Sequence, residues 1–259
     1  MSDLPKLLAP IETTDDLDFS WNEGGTPVTV ALTAGTWDSI LELVSDLSDA
    51  CEYETGGTVA FTVSSNGFVT YTVTGVTPTT NWGSCDADLL AILGYAGTES
   101  FSSNDLVATD RHLYGWYSPV GVDYPGFRRT KTRRVQRNDA GGVFVMGSSA
   151  VHKDLDLRFE PLLEAQIEPG AATTESDGKG GSVDWTSRTL FDFWEYAATL
   201  RWRFYEDGSL GTVADPGTEG TDYHTCVFAS DEVQAEQIDP DGYTWFAVSL
   251  PVHIDTENV

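Results

Sequence analysis

Two hydrophobic periods alternate along the first hundred residues. "LDFSW" (17–21) places apolar residues at every second position, "NEGGT" breaks the run, and "PVTVALT" (27–33) resumes it. Alternation interrupted by glycine predicts a β-hairpin. After "AGTW" (34–37) the period lengthens. Ile40, Leu41, Leu43, Val44, Leu47 and Cys51 recur at helical spacing, and Thr36 or Asp38 can cap the first turn. "TVAFTVSSNGFVTYTVTG" (58–75) returns to alternation in two runs joined at Asn66-Gly67, a pair that tolerates the positive φ angles of a type I′ turn. "DADLLAILGY" (86–95) predicts a short amphipathic helix stopped by Gly94. The predicted order is β-β-α-β-β-α, a small α+β domain over residues 17–105. Residues 1–16, with Pro5, Pro10 and an acidic "TTDD", show no period and read as an extended arm.

From residue 106 the pattern is strand-like, with Pro and Gly punctuation. "GGVFVMGS", "KDLDLRFEPL", "TDYHTCVFAS" and "DGYTWFAVSLPVHI" all read as strands. "EPGAATTESDGKGGSVD" (168–184) has the composition of a flexible loop. "WTSRTLFDFWEYAAT" (185–199) has helical spacing through Leu190, Phe191, Trp194 and Ala197 or Ala198. "LRWRFYED" puts Leu200, Trp202 and Phe204 on one strand face. No internal repeat occurs. The expected class is therefore α+β, predominantly antiparallel β, with residues 106–259 forming a β-rich assembly domain with one helix.

Composition adds two constraints. With 12 Phe, 10 Tyr and 8 Trp, the chain has ample material for buried cores. Its 41 Asp+Glu against 14 Lys+Arg give a formal net charge of -27, spread from end to end. Such acidity fits a surface kept hydrated in high salt, or a channel wall that repels DNA, and it opposes wrapping of nucleic acid. No apolar h-region opens the sequence and no run of 18 apolar residues occurs, so neither a secretory signal nor a membrane-spanning helix is expected. Cys51, Cys85 and Cys226 are scattered and without metal spacing, and read as buried thiols of a protein made in the cytosol.

Chemistry-bearing motifs are scarce. His112, His152, His224 and His253 are isolated from one another. "GSSAV" (147–151) lacks the flanking glycine of a nucleophile elbow. "DGKGG" (177–181) has Thr173 where a phosphate loop needs glycine. "DPDGYTW" (239–245) lacks the glutamate of a calcium loop and reads as a hairpin turn. Carboxylates are so many that any acid/base pair can be imagined. No catalytic residue, cofactor or metal ligand is assigned, and the expectation is a protein that is not an enzyme.

One stretch departs from its chain. "PGFRRTKTRRVQR" (125–137) holds Arg128, Arg129, Lys131, Arg133, Arg134 and Arg137. As a strand it would direct Arg129, Lys131 and Arg133 to one side and Thr130, Thr132 and Arg134 to the other. Three readings are open: a solvated strand paired with its own acidic surface, a contact with a neighbouring copy, or a nucleic-acid site. The second explains the concentration of charge. An acidic subunit repels its own copies, and arginine at the contact converts repulsion into attraction through bidentate pairing with carboxylates. The expected interface residues are these six together with Phe127 and Tyr124.

"VALTAGTWDSILELVSDLSDA", "VAFTVSSNGFVTYTVTG" and "LLAILGY" together resemble a module of structural proteins of tailed viruses of bacteria and archaea. The resembling features are a strand, a Gly-Thr-aromatic turn, a helix, an Asn-Gly hairpin and a leucine-rich helix ending in Gly-aromatic. The latter half, with "FDFWEYAATLRWRFYEDG" and "YTWFAVSLPVHI", is similar to β-rich tail components in general character. The resemblance implies a virion structural protein, of tail-tube, hub or head–tail junction type, assembled in the host cytoplasm. Its implied partners are copies of itself, other virion proteins, and DNA that passes without specific binding. A capsid decoration or tail-fibre adaptor is the alternative within that class. A carbohydrate-binding β module is the alternative outside it, on the aromatics of "HLYGWYSP" (112–119) and "GYTWF" (242–246).

Overall fold

The computed structural model describes residues 4–23, 26–55, 58–75, 78–123, 127–137, 143–168, 174–176, 182–184, 188–206, 217–219, 221–238 and 245–254. Among them the fold is mostly antiparallel β with four α-helices. Its apolar side chains gather into two main cores, one from residues 11–108 and one from residues 7–9 and 116–254.

The chain enters through β1 (Lys6–Leu8) and β2 (Ile11–Glu12). Next come β3 (Leu17–Glu23), β4 (Thr26–Leu32), β5 (Thr36–Trp37) and α1 (Ile40–Thr55). β6 (Thr58–Val63), β7 (Phe68–Thr74), β8 (Pro78–Thr80), α2 (Ala87–Leu93) and β9 (Asp105–Arg111) complete the first unit. The strands split between two three-stranded sheets, β4-β3-β8 and β6-β7-β9. The strand β9 crosses the expected boundary at residue 105, because its pairing with β7 continues to Phe68↔Arg111.

Local chemistry explains these elements. All of Ile40, Leu41, Leu43, Val44, Leu47 and Cys51 are buried, as their spacing predicts. The Ser48 hydroxyl donates to the Val44 carbonyl (2.6 Å) and accepts the Phe61 N–H (2.8 Å), tying α1 to β6. In the core Phe61 stacks on Tyr71 at 4.7 Å, and Phe19 meets Phe61 edge-on at 5.1 Å. Asp86 caps α2 by accepting the Asp88 N–H, and Gly94 ends it at φ 83°. Any side chain at Gly94 would also run into the Asp110 backbone.

The second unit contains β10 (Gly115–Tyr117), β11 (Val122–Asp123), β12 (Phe127–Arg137), β13 (Val143–Leu163) and α3 (Glu164–Ile167). A small hairpin, β14 (Thr174–Ser176) and β15 (Ser182–Asp184), lies within the segment read as a loop. Then follow α4 (Leu190–Ala197), β16 (Trp202–Tyr205), β17 (His224–Phe228), β18 (Gln234–Gln237) and β19 (Trp245–Ile254). The nine-stranded sheet runs β10-β1-β16-β17-β19-β13-β11, with β12 also on β13 and β18 also on β19.

Two expectations are corrected here. The N-terminal segment, expected as an extended arm without a period, contains strands: Lys6–Leu8 pairs with β10 on one side and β16 on the other, inside the sheet of the second unit. Its side chains are all buried, so no alternation marked it. The second unit also has two described helices where one was expected, α3 being a single short turn after β13.

A buried seam joins the units. The turn after β6 is closed by Gly67 N–H to the Ser64 carbonyl (3.0 Å). Gly67 alone has a positive φ there, 86°, so the turn is not the type I′ expected from Asn66-Gly67. The Tyr117 ring packs where a Cβ on Gly67 would stand. The Tyr117 hydroxyl meets His112 Nε2 at 2.5 Å, and the Gly67 carbonyl accepts the His112 N–H (3.0 Å). Burial first, then Arg188 and Arg111, push His112 down to about 3, so its ring is neutral at pH 7.

Two outcomes follow from this architecture. Deleting residues 1–9 should open the nine-stranded sheet, because Leu7 and Leu8 are fully buried and each contributes about 2–5 kcal/mol by the usual cost of truncating such side chains. Hydrogen exchange should then accelerate at Trp202–Tyr205 and stay slow at Val59–Val73; equal loss in both would reveal one indivisible unit. The second outcome concerns pH. An unfolded histidine titrates near 6.5. The neutral His112 therefore stabilises the fold fully above pH 6.5, and that contribution is lost as pH falls toward about 3. Its share of the slope reaches about 1.4 kcal/mol per pH unit. His112→Gln should flatten the denaturation free energy against pH between 6.5 and 4 relative to wild type, and an unchanged slope would refute the buried neutral ring.

Candidate assembly interface

The basic strip forms β12, an 11-residue strand. It pairs antiparallel with β13 from Phe127↔Leu155 to Arg137↔Val143. The register shifts between Lys131 and Arg133, where Thr132 of β12 faces Ser148, Ser149 and Ala150 of β13. A bulge of this kind twists and bends a ribbon.

What matters is where the third strand ends. The β13 strand is 21 residues long, and its later half pairs with β19 from Lys153↔Ile254 to Leu163↔Trp245. Its first ten residues, 143–152, pair with β12 and with no third strand among the described residues. At roughly 3.3 Å per residue this is a two-stranded ribbon about 30 Å long. It carries Lys131, Arg133, Arg134 and Arg137 along its free stretch, with Arg128 and Arg129 at its root. Asp154, paired across the ladder with Arg128 and His253, meets the His253 ring nitrogen Nδ1 at 2.5 Å at that root. Phe127 begins the strand, and Tyr124 lies outside the described residues.

Cations elsewhere serve the fold itself. Arg203 reaches from the second unit to Asp38 of the first at 2.9 Å and lies over the Tyr223 ring at 4.7 Å. Arg188 lies over Tyr196 at 4.9 Å and Tyr114 at 5.7 Å. Arg111 lies over Phe68 at 5.7 Å, and Arg158 pairs with Glu160 at 2.9 Å. Six of the 14 Lys+Arg thus lie on one strand, while Arg203, Arg188 and Arg111 pack against aromatic rings or pair across the units.

A second feature escaped the sequence reading. Helix α4 is capped by Thr189 and Asp192 and turns Leu190, Phe193 and Ala197 into the core. Phe191 and Trp194, expected to face inward, are only half-buried. With Val233 they line a groove of about 320 Å³ whose rim carries Glu195, Asp231 and Glu232. The groove opens beside β18, all four residues of which are exposed. No signal in the sequence singled out these carboxylates, because the whole chain is rich in them.

Cys51, Cys85 and Cys226 are free thiols; burial pushes Cys51 and Cys226 well above the usual thiol range. Among the described residues no group of three or more His, Cys, Asp or Glu is placed to hold a metal ion, and no helix is long and apolar enough to cross a membrane. In "HLYGWYSP", Trp116 and Tyr117 are buried and offer no face to a sugar ring. "DGKGG" and most of "DPDGYTW" lie outside the described residues. No protein-family model matches the sequence, and no curated protein matches it significantly.

Proposed function

We propose that this chain is a self-assembling structural subunit of a virus particle, a tail component that builds a ring or tube with an acidic lumen through which DNA passes. The observation that carries the reading is the basic ribbon, ten residues of β13 and their β12 partners with no third strand beside them among the described residues. A two-stranded ribbon alone is marginal in water, and a partner surface supplies the burial it lacks. In a chain of net charge -27 the complementary surface nearest to hand is another copy of the same chain. The six basic residues of the strip, with Phe127 and Tyr124, form the proposed contact.

Two further features support the tail assignment. The strand, helix and hairpin elements of residues 17–95 are those that carry the resemblance to tailed-virus structural proteins, read there as a β-β-α-β-β-α unit. The end-to-end acidity suits a wall that must let a polyanion slide without binding. Other virion proteins and the host cytoplasm follow as partners and site of assembly.

The purified chain should sediment as a ring or tube. Changing Arg129, Lys131 and Arg133 together to Glu should leave a folded monomer by circular dichroism. Single exposed charge pairs contribute about 0–1 kcal/mol, so three reversals are needed for a clear effect. Salt should weaken the wild-type contact as the Debye length falls from about 10 Å at 0.1 M to about 3 Å at 1 M. A wild type that stays monomeric at every concentration, or a folded triple variant that assembles unchanged, would refute the reading.

A further inference from the structure

The groove between α4 and the start of β18 has three properties that belong together. Its floor is apolar and aromatic, formed by Phe191, Trp194 and Val233. Its rim is anionic, with Glu195, Asp231 and Glu232 all exposed. Its volume, about 320 Å³, is at the small end of ligand sites and suits a few side chains more than a large organic ligand. Aromatic faces ringed by carboxylates select cations with an apolar stem, and arginine fits both demands. The guanidinium stacks on an indole or phenyl face, its methylene stem covers apolar surface, and its fork pairs with carboxylates.

The helix explains why the groove is open. α4 buries Leu190, Phe193 and Ala197 on one side and presents Phe191 and Trp194 on another, so a single packing contact leaves apolar surface uncovered. The segment beside it is as one-sided in charge as the ribbon. From Asp231 to Gln237 the chain has three carboxylates, Asp231, Glu232 and Glu236, and no Lys or Arg. Residues 127–137 have six Lys and Arg and no Asp or Glu.

Topology sets the two features apart. The β18 strand pairs with one side of β19, through Gln234↔Ser249 to Gln237↔Phe246. The β13 strand, which leads into the ribbon, pairs with the other side. A contact between two different patches, here ones that start from opposite edges of β19, is heterologous, the kind that closes rings or extends tubes.

Resting on the self-assembly reading, we infer that this groove is the receptor for the basic β12–β13 ribbon of a second copy. Arginines of the incoming ribbon stack on Trp194 and Phe191 and pair with Glu195, Asp231 and Glu232. The ribbon thereby covers the half-buried aromatic face of α4, and each copy offers one ribbon and one groove.

A charge-swap mixture tests this. The ribbon variant carries Arg129→Glu, Lys131→Glu and Arg133→Glu. The groove variant carries Glu195→Lys, Asp231→Lys and Glu232→Lys. In sedimentation velocity each variant alone should remain monomeric: the ribbon variant's strip, with three Glu against three Arg, loses its attraction to the anionic groove, and the groove variant's ribbon and groove are both positive. An equimolar mixture should associate at least pairwise, because the intact ribbon of the groove variant finds the intact groove of the ribbon variant. A folded groove variant that assembles like wild type would overturn the groove while leaving the self-assembly reading intact. So would a mixture of folded variants that stays monomeric. A monomeric wild type would overturn both. Should circular dichroism show the lysine variant unfolded, Glu195→Gln, Asp231→Asn and Glu232→Gln replaces it. That variant should associate about tenfold more weakly than wild type, the sum of three modest charge pairs. Unchanged association would again refute the groove.

Discussion

One edge of the nine-stranded sheet depends on three residues of its first strand, Lys6–Leu8. β10 and β16 have no contact of their own in the ladder; β1 lies between them and pairs with both, Leu7 facing Trp116 on one side and Phe204 on the other. Backbone groups in the middle of a sheet have no access to water, so each must find a partner in the ladder. The pairing also fixes how the units are joined. The chain leaves β1 in the second core and enters the first at Ile11. It returns through His112 and Tyr117, where the seam with Gly67 is built. The first unit is thus an insertion between two strands of one sheet, and the seam geometry, including the neutral His112, is a consequence of that threading.

The same constraint organises the charge. An acidic chain has few cations to spend on its own cohesion, and the structure places several where units or layers meet. Arg203 bridges to Asp38 across the two units, and Arg188 sits between Tyr114 and Tyr196. Arginine suits these places because its flat guanidinium remains ionised while half-buried against aromatic rings. Against that economy, six basic residues on one strand, four of them along a stretch with no third strand among the described residues, make an expensive arrangement. Like charges this close repel one another, a cost that anionic surface offsets.

Much of the local structure was legible in the sequence because it rests on local chemistry. The buried face of α1, the hairpin at Gly67 and the stop at Gly94 follow from spacing and from the freedom of glycine. What stayed hidden was nonlocal. β1 carries no alternation, since a central strand is buried on both faces and here is only three residues long. The aromatics of α4 satisfy more than one helical face, and only the packing of Phe193 against Trp202 decides which one is inside. The basic strip was plain as composition. That its far half runs past the last described pair of β13 with β19, Lys153↔Ile254, depends on a strand more than a hundred residues further along the chain.

The groove and the ribbon illustrate why charge is read differently from fold. In a chain with 41 Asp and Glu, a carboxylate carries almost no information by itself. It gains meaning only when structure sets it beside an aromatic face that a solvated acid would have no reason to border. The converse holds for the cations, which are informative by scarcity and need structure only to show which of them the fold already uses. Half-buried aromatic surface on α4 costs stability in the free chain, and so does crowded positive charge on β12. Two such costs in one subunit, opposite in charge and on opposite edges of β19, are ones that a single heterologous contact of the proposed kind would relieve together.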